Sequence, residues 1–202
     1  MTSLSTAPTG SLNASPRVST WELDPAHSHV EFAVRHLMIS TVKGRFADVQ
    51  GTIRMDEADP SAVLVDATIG AASIDTRQEE RDAHLRSTDF FDVARFPTIF
   101  FRSRRVQGNP LEGDFRLIGD LTIRDITREV ALDVSAGGHA TDLSGEEHAG
   151  FSARTTIDRT DFGLSWNQAL EAGGVLVGNE VRISIEVELV RQEQVAVGDS
   201  HE

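Results

Sequence analysis

Cysteine and tyrosine are absent, and lysine occurs once, at Lys43. Without cysteine there are no disulfides, thiolate metal sites, iron–sulfur clusters or cysteine nucleophiles. The residues before Lys43 lack the G-x-x-x-x-G-K-[ST] spacing that cradles phosphates. G-x-S-x-G, H-E-x-x-H and G-x-G-x-x-G are missing as well, so common hydrolase, zincin and dinucleotide chemistry has no motif here. No catalytic residues are assigned, and an enzyme is not the expected reading. No apolar run approaches the ~18–20 residues of a membrane span. Residues 1–20 have neither the charged start nor the apolar core of a secretory signal, so the expected location is cytoplasmic.

Positive charge is also scarce. Lys+Arg total 19 against 32 Asp+Glu, a net charge of −13 over 202 residues. Such a surface repels phosphate backbones and anionic headgroups, so neither nucleic acid nor a charged membrane surface is an expected partner. Residues 1–19 are rich in Ser, Thr, Ala, Pro and Gly and read as a disordered tail. Residues 192–202 read as a second flexible tail. The stretch 20–191 between them reads as one domain.

Within that domain apolar residues recur with period 2, the signature of half-buried strands. Val30, Phe32 and Val34 share a face, as do Val63, Val65, Ala67 and Ile69. The same holds for Phe115, Leu117, Leu121 and Ile123, for Val130, Leu132 and Val134, for Phe151, Ala153 and Ile157, and for Val181 through Leu189. Strands over 42–55 and 98–106 bring the count to about eight. One apolar and one polar face per strand indicates antiparallel sheet. Eight strands can close into a barrel that is either filled by side chains or holds one small ligand. Residues 76–96 break the alternation. A short helix is expected over 77–86, followed by a turn capped by Thr88 or Asp89 and carrying Phe90 and Phe91.

The polar candidates are few. His27 and His29 are two apart, but a closed metal site wants three or four ligands, so no metal is expected. Asp24, His27 and Ser28 could be strung into a hydroxyl-activating triad, though nearness in sequence says little about triad geometry. Arg81, Asp82 and His84 fall on the expected helix, where a structural lock by buried hydrogen bonds is the favoured role.

Several ordered segments resemble one family. WELDPAHSHVEFAVRH (21–36), the Gly44-x-Phe46 pair, RDAHLRSTDFFDVARFPTIFFRS (81–103), GDLTIRDITREVAL (119–132), IDRTDFGL (157–164) and GGVLVGNEVRISIEVEL (173–189) are similar to the YceI-like family in content and order. The resemblance spans roughly 20–190. It implies an all-β, eight-stranded antiparallel, lipocalin-like barrel with a helical segment over one side. It also implies an apolar lipid partner, such as a polyisoprenoid, a polyprenyl quinone or a fatty-acid-like amphiphile, with no further cofactor. Many members carry a signal peptide, so location does not transfer. Asp125 stands at a turn where the family usually has glycine, and aspartate tolerates a left-handed turn conformation.

The combined expectation is a lipid carrier or store. Phe32, Val34, Phe46, Phe101, Leu121, Phe151 and Ile185 are expected to line its cavity. Phe90, Phe91 and Phe162 are placed at its mouth. His36, His84 and Arg159 are candidates for a headgroup. The alternative is an enzyme acting on a prenyl or acyl lipid in the same cavity, with His84 or His36 as acid–base. A third reading is a filled barrel that works through protein contacts. A homodimer is left open.

Overall fold

The computed structural model describes residues 18–56, 58–110, 113–169 and 175–193. Almost all of both expected tails lies outside them. Among these described residues, eleven strands form one antiparallel sheet. They are β1 (Val18–Leu23), β2 (His29–His36), β3 (Ser40–Phe46), β4 (Val49–Asp56), β5 (Asp59–Gly70), β6 (Ile74–Asp75), β7 (Thr98–Gln107), β8 (Phe115–Ile123), β9 (Ile126–Thr141), β10 (Glu147–Asp158) and β11 (Val177–Arg191).

Eleven strands give only eight wall positions. β1 and β2 pair with the same edge of β11, Leu23 opposite Leu189 and His29 opposite Glu186. β3 and β4 likewise continue one another, pairing with β2 and β1. The β1–β11 ladder closes the sheet into an eight-stranded antiparallel barrel.

Two differences from the sequence reading have local causes. The strand expected over 42–55 breaks at Ala47 and Asp48. Beyond Gly70 the chain turns away into a short 3-10 turn, so β3 loses β5 as a neighbour and pairs with β6 instead. β1, absent from the expected strands, is short and is cut from β2 by residues 24–28, which include Pro25. It also begins at Val18, inside the expected tail.

The helix α1 spans Glu79–Arg86 and starts two residues later than expected. Arg77 has a φ of 62°, outside the helical region. Gln78 is the N-cap, its side chain accepting the Arg81 N–H. Ser87, rather than Thr88 or Asp89, organises the turn that follows. Its carbonyl accepts the N–H groups of Phe90 and Asp92. In the β8–β9 turn the positive φ falls on Arg124 (58°) and not on Asp125. The Arg124 guanidinium lies over the Phe96 ring and donates to the Gly163 carbonyl, which holds the strained residue in place.

Glycines make room for aromatic rings on the inner wall. A Cβ on Gly44 would sit 2.4 Å from Cζ of Phe32, its cross-strand partner, and one on Gly119 would sit 2.6 Å from Cζ of Phe101. Gly44→Ala should therefore destabilise the protein by about 1–3 kcal/mol through overpacking. Gly150→Ala, where the nearest atom is 4.0 Å away, should stay within about 0.5 kcal/mol. Denaturant titration of both variants checks this, and equal costs would contradict the packing account.

Candidate binding site

The barrel encloses a cavity of about 330 Å³, at the lower end of the ~300–1,000 Å³ of ligand sites. Its wall is the inner face of the alternating strands. Phe32, Val34, Phe46, Phe101, Leu121, Phe151 and Ile185 all line it. Phe32, Phe101, Phe151 and Ile185 point inward and yet are only partly buried. Side chains filling a barrel would bury one another, so their exposure is exposure to an interior space.

The two ends differ. One end gathers the β2–β3 turn, the crossover carrying α1, the β8–β9 turn and the β10–β11 connection. It is plugged by the main apolar cluster, where Ile74 is 0% and Phe162 1% exposed. Phe90 and Phe91 line the cavity from this plugged end, so they form its floor. Phe162 does not line it and packs within the plug. At the other end Met55, Val63 and Phe115 are partly buried, and His139 is exposed although it lines the cavity. That end is the mouth. The Trp21 ring meets His139 edge-on at 6.2 Å there.

The polar candidates are committed to the protein itself. Asp82 is buried and accepts from the Thr76 N–H and hydroxyl. Arg81 donates to the same hydroxyl at 2.7 Å and to the Thr76 carbonyl at 2.8 Å. Arg86 donates to the carbonyls of Ala72 and Ile74. These bonds clamp α1 to β6 and turn Leu85 into the cavity. His84 pairs with Asp89 at 2.8 Å, its ring edge-on to Phe90 and Trp166, away from the cavity lining. His36, at the end of β2, does not line the cavity either.

Arg159 reaches the wall but is only 4% exposed. An arginine has five N–H donors. Here they go to the carbonyls of Gly178, Leu164, Trp166 and Val177 and to Oδ1 of Asn179. None is left for a headgroup. Burial pushes its pKa down from the usual arginine value. Beyond Arg159, the polar side chains on the cavity wall are Thr155 and, at the mouth, His139, with the Trp21 indole N–H donating to Ser19.

The sequence reading passed over Trp21, Trp166 and His139. A tryptophan carries a large ring with one N–H, and this alone marks it for a packed, half-polar site. His139 gave no such signal. His27 and His29 do not share a strand face. His27 sits in the turn before β2, 2.6 Å from Asp24, while His29 opens β2 opposite Glu186. The Ser28 hydroxyl is hydrogen-bonded to the Glu188 backbone, so no triad forms with His27.

Comparison with known proteins fits this geometry. The YceI-like domain matches residues 21–189, nearly the whole barrel. The chain belongs to the YceI-like family. A UPF0312 protein of Staphylococcus aureus strain N315 is 38% identical over 172 residues, covering 85% of this chain and 97% of that protein. A YceI protein of Campylobacter jejuni superposes with a TM-score of 0.65 at 32% identity, covering 79% of this chain and 90% of the other. A polyisoprenoid binding domain from Saccharophagus degradans shares the fold at 15% identity, with a TM-score of 0.61 over 85% of this chain and 98% of its own. Among the described residues of this YceI-like barrel, no helix is long and apolar enough to cross a membrane.

Arg159→Met keeps a long stem but removes five donors from buried oxygens. Each unsatisfied buried group costs about 1–3 kcal/mol. The variant should lose at least about 3 kcal/mol in denaturant unfolding. A loss below about 1 kcal/mol would mean the loop carbonyls find water instead.

Proposed function

We propose that this YceI-like barrel binds one long apolar lipid chain, of polyisoprenoid or fatty-acid type, as a carrier or store. The observation that carries this reading is the inner wall of partly exposed aromatic and aliphatic side chains, closed at one end. A chain would enter through the mouth beside His139, with its tail toward Phe90 and Phe91. The polyisoprenoid-binding neighbour of the same fold supports the ligand class. Among the described residues of the wall, His139 has no carboxylate beside it, and His84 and His36 lie off the cavity lining. That favours binding over turnover.

Energetics favour exchange over trapping. Burying one methylene contributes about 0.8 kcal/mol relative to water. A chain taken from a bilayer is already out of water, so most of that gain cancels. Selectivity then comes from the fit between chain and wall.

Organic extraction of the purified protein should release a long-chain lipid, which mass spectrometry identifies. Ala67→Trp tests the cavity directly. Ala67 lines the middle of the wall and is only partly buried. Phe101 is a poorer choice because its ring already rests on Gly119. The Ala67→Trp variant, delipidated, should unfold within a few degrees of wild type while uptake of a polyprenyl probe falls at least tenfold. His84→Ala should leave uptake unchanged. Normal uptake by a folded Ala67→Trp protein would sink the proposal.

A further inference from the structure

The β9–β10 connection, at the mouth end, places Asp142, Glu146 and His148 together. One ligand atom from each lies within 4.8 Å of the others. His148 sits one residue into β10 and Glu188 lies near the end of β11. Nδ1 of His148 and Oε1 of Glu188 are 2.8 Å apart. A carboxylate can only accept, so Nδ1 is the donor of that pair and Nε2 is the nitrogen turned toward Asp142. This is the carboxylate–histidine arrangement that orients metal-binding imidazoles.

Nε2 is buried and has no hydrogen-bond partner among the described residues. Its nearest charged neighbour is Oδ2 of Asp142, 3.8 Å away. Asp142 is held rigidly. Its Oδ1 accepts the N–H groups of Ser144 and Glu146, and its Oδ2 accepts the Ser144 hydroxyl. A buried, unpartnered imidazole nitrogen therefore faces a hydrogen-bonded carboxylate 3.8 Å away. The Glu146 side chain is exposed, and one of its carboxylate oxygens already lies in the same group.

The neighbouring group of Asp24, His27 and Glu188 provides the contrast. Nδ1 of His27 lies 2.6 Å from Asp24, and that hydrogen bond raises the pKa of His27. There the imidazole nitrogen facing the carboxylate already has its hydrogen-bond partner. At His148 the open nitrogen calls for a cation.

We infer that Asp142, Glu146 and Nε2 of His148 form a binding site for a divalent metal ion, with Glu188 orienting the imidazole. One nitrogen and two carboxylate ligands suit Zn²⁺ or a similar first-row ion. The site would cross-link the β9–β10 connection to β11 through Glu188, beside the cavity mouth. It does not depend on what the cavity holds.

The test is Zn²⁺ titration of the full, chelator-stripped chain by calorimetry near neutral pH. One Zn²⁺ per chain is expected. His148→Ala should abolish binding, Glu188→Gln should weaken it about 10–100-fold as for an orienting partner, and His27→Ala should leave it unchanged. Glu146→Gln changes only an exposed side chain, so it keeps the test sound if His148→Ala fails to fold, and it should also weaken binding. No binding to the wild type at millimolar Zn²⁺ would overturn the site. So would equal affinity in folded His148→Ala and Glu146→Gln. An NMR spectrum showing both His148 nitrogens protonated near neutral pH, with no response to Zn²⁺, would assign the missing charge to a proton and overturn it too.

Discussion

Closure of the sheet on β11 is the constraint from which the cavity follows. An open eight-stranded sheet with one apolar face would expose both that face and two unpaired edges. Closing it removes the edges and turns the apolar face inward. β11 achieves this by pairing with β10 on one side and with β1 and β2 in succession on the other. At the gap between those two strands the backbone of Glu188 would lose its ladder partners. The Asp24 N–H donates to the Glu188 carbonyl at 2.8 Å, and the Ser28 hydroxyl accepts the Glu188 N–H at 3.0 Å. A similar repair serves β7. Where its ladder with β5 ends at Arg102, the Ser103 hydroxyl accepts from the Val65 N–H and donates to the Val63 carbonyl.

Hydrogen bonding also keeps the interior apolar. Polar groups near the plugged end, on α1, in the β8–β9 turn and in the β10–β11 connection, satisfy backbone there. Arg159 gathers carbonyls from residues 164 to 178, and Asp82 with Arg81 holds α1 over the floor. A charged residue near an apolar cavity is expensive unless every donor is used. Here that requirement leaves most of the wall to carbon, and the same bonds that stabilise the plug use up every donor of its arginine.

The inward faces were legible in the sequence because a barrel wall offers two environments, and alternation reports which residues choose each. Val63 through Ile69, Phe115 through Ile123 and Val181 through Leu189 all line the cavity as that alternation implies. Illegible were the features set by distant backbone. Nothing near Arg159 reveals that carbonyls up to Gly178 will consume its donors. Nothing near His84 reveals that Trp166 will cover it. The break at Ala47 depends on where β5 turns away, and the cluster around His148 depends on Glu188, a neighbour only after the sheet closes.

A single-ended interior has a kinetic consequence for any chain it holds. Entry and exit share one gate, and departure reverses arrival. Each methylene drawn from the wall into water costs about 0.8 kcal/mol, close to a fourfold slowing per carbon. Residence in free solution would therefore lengthen steeply with chain length. If the gate rested against an apolar acceptor, most of that barrier would vanish, because the chain would never cross water. For a bound chain, such geometry would separate holding from handing over by location alone, with no moving part required.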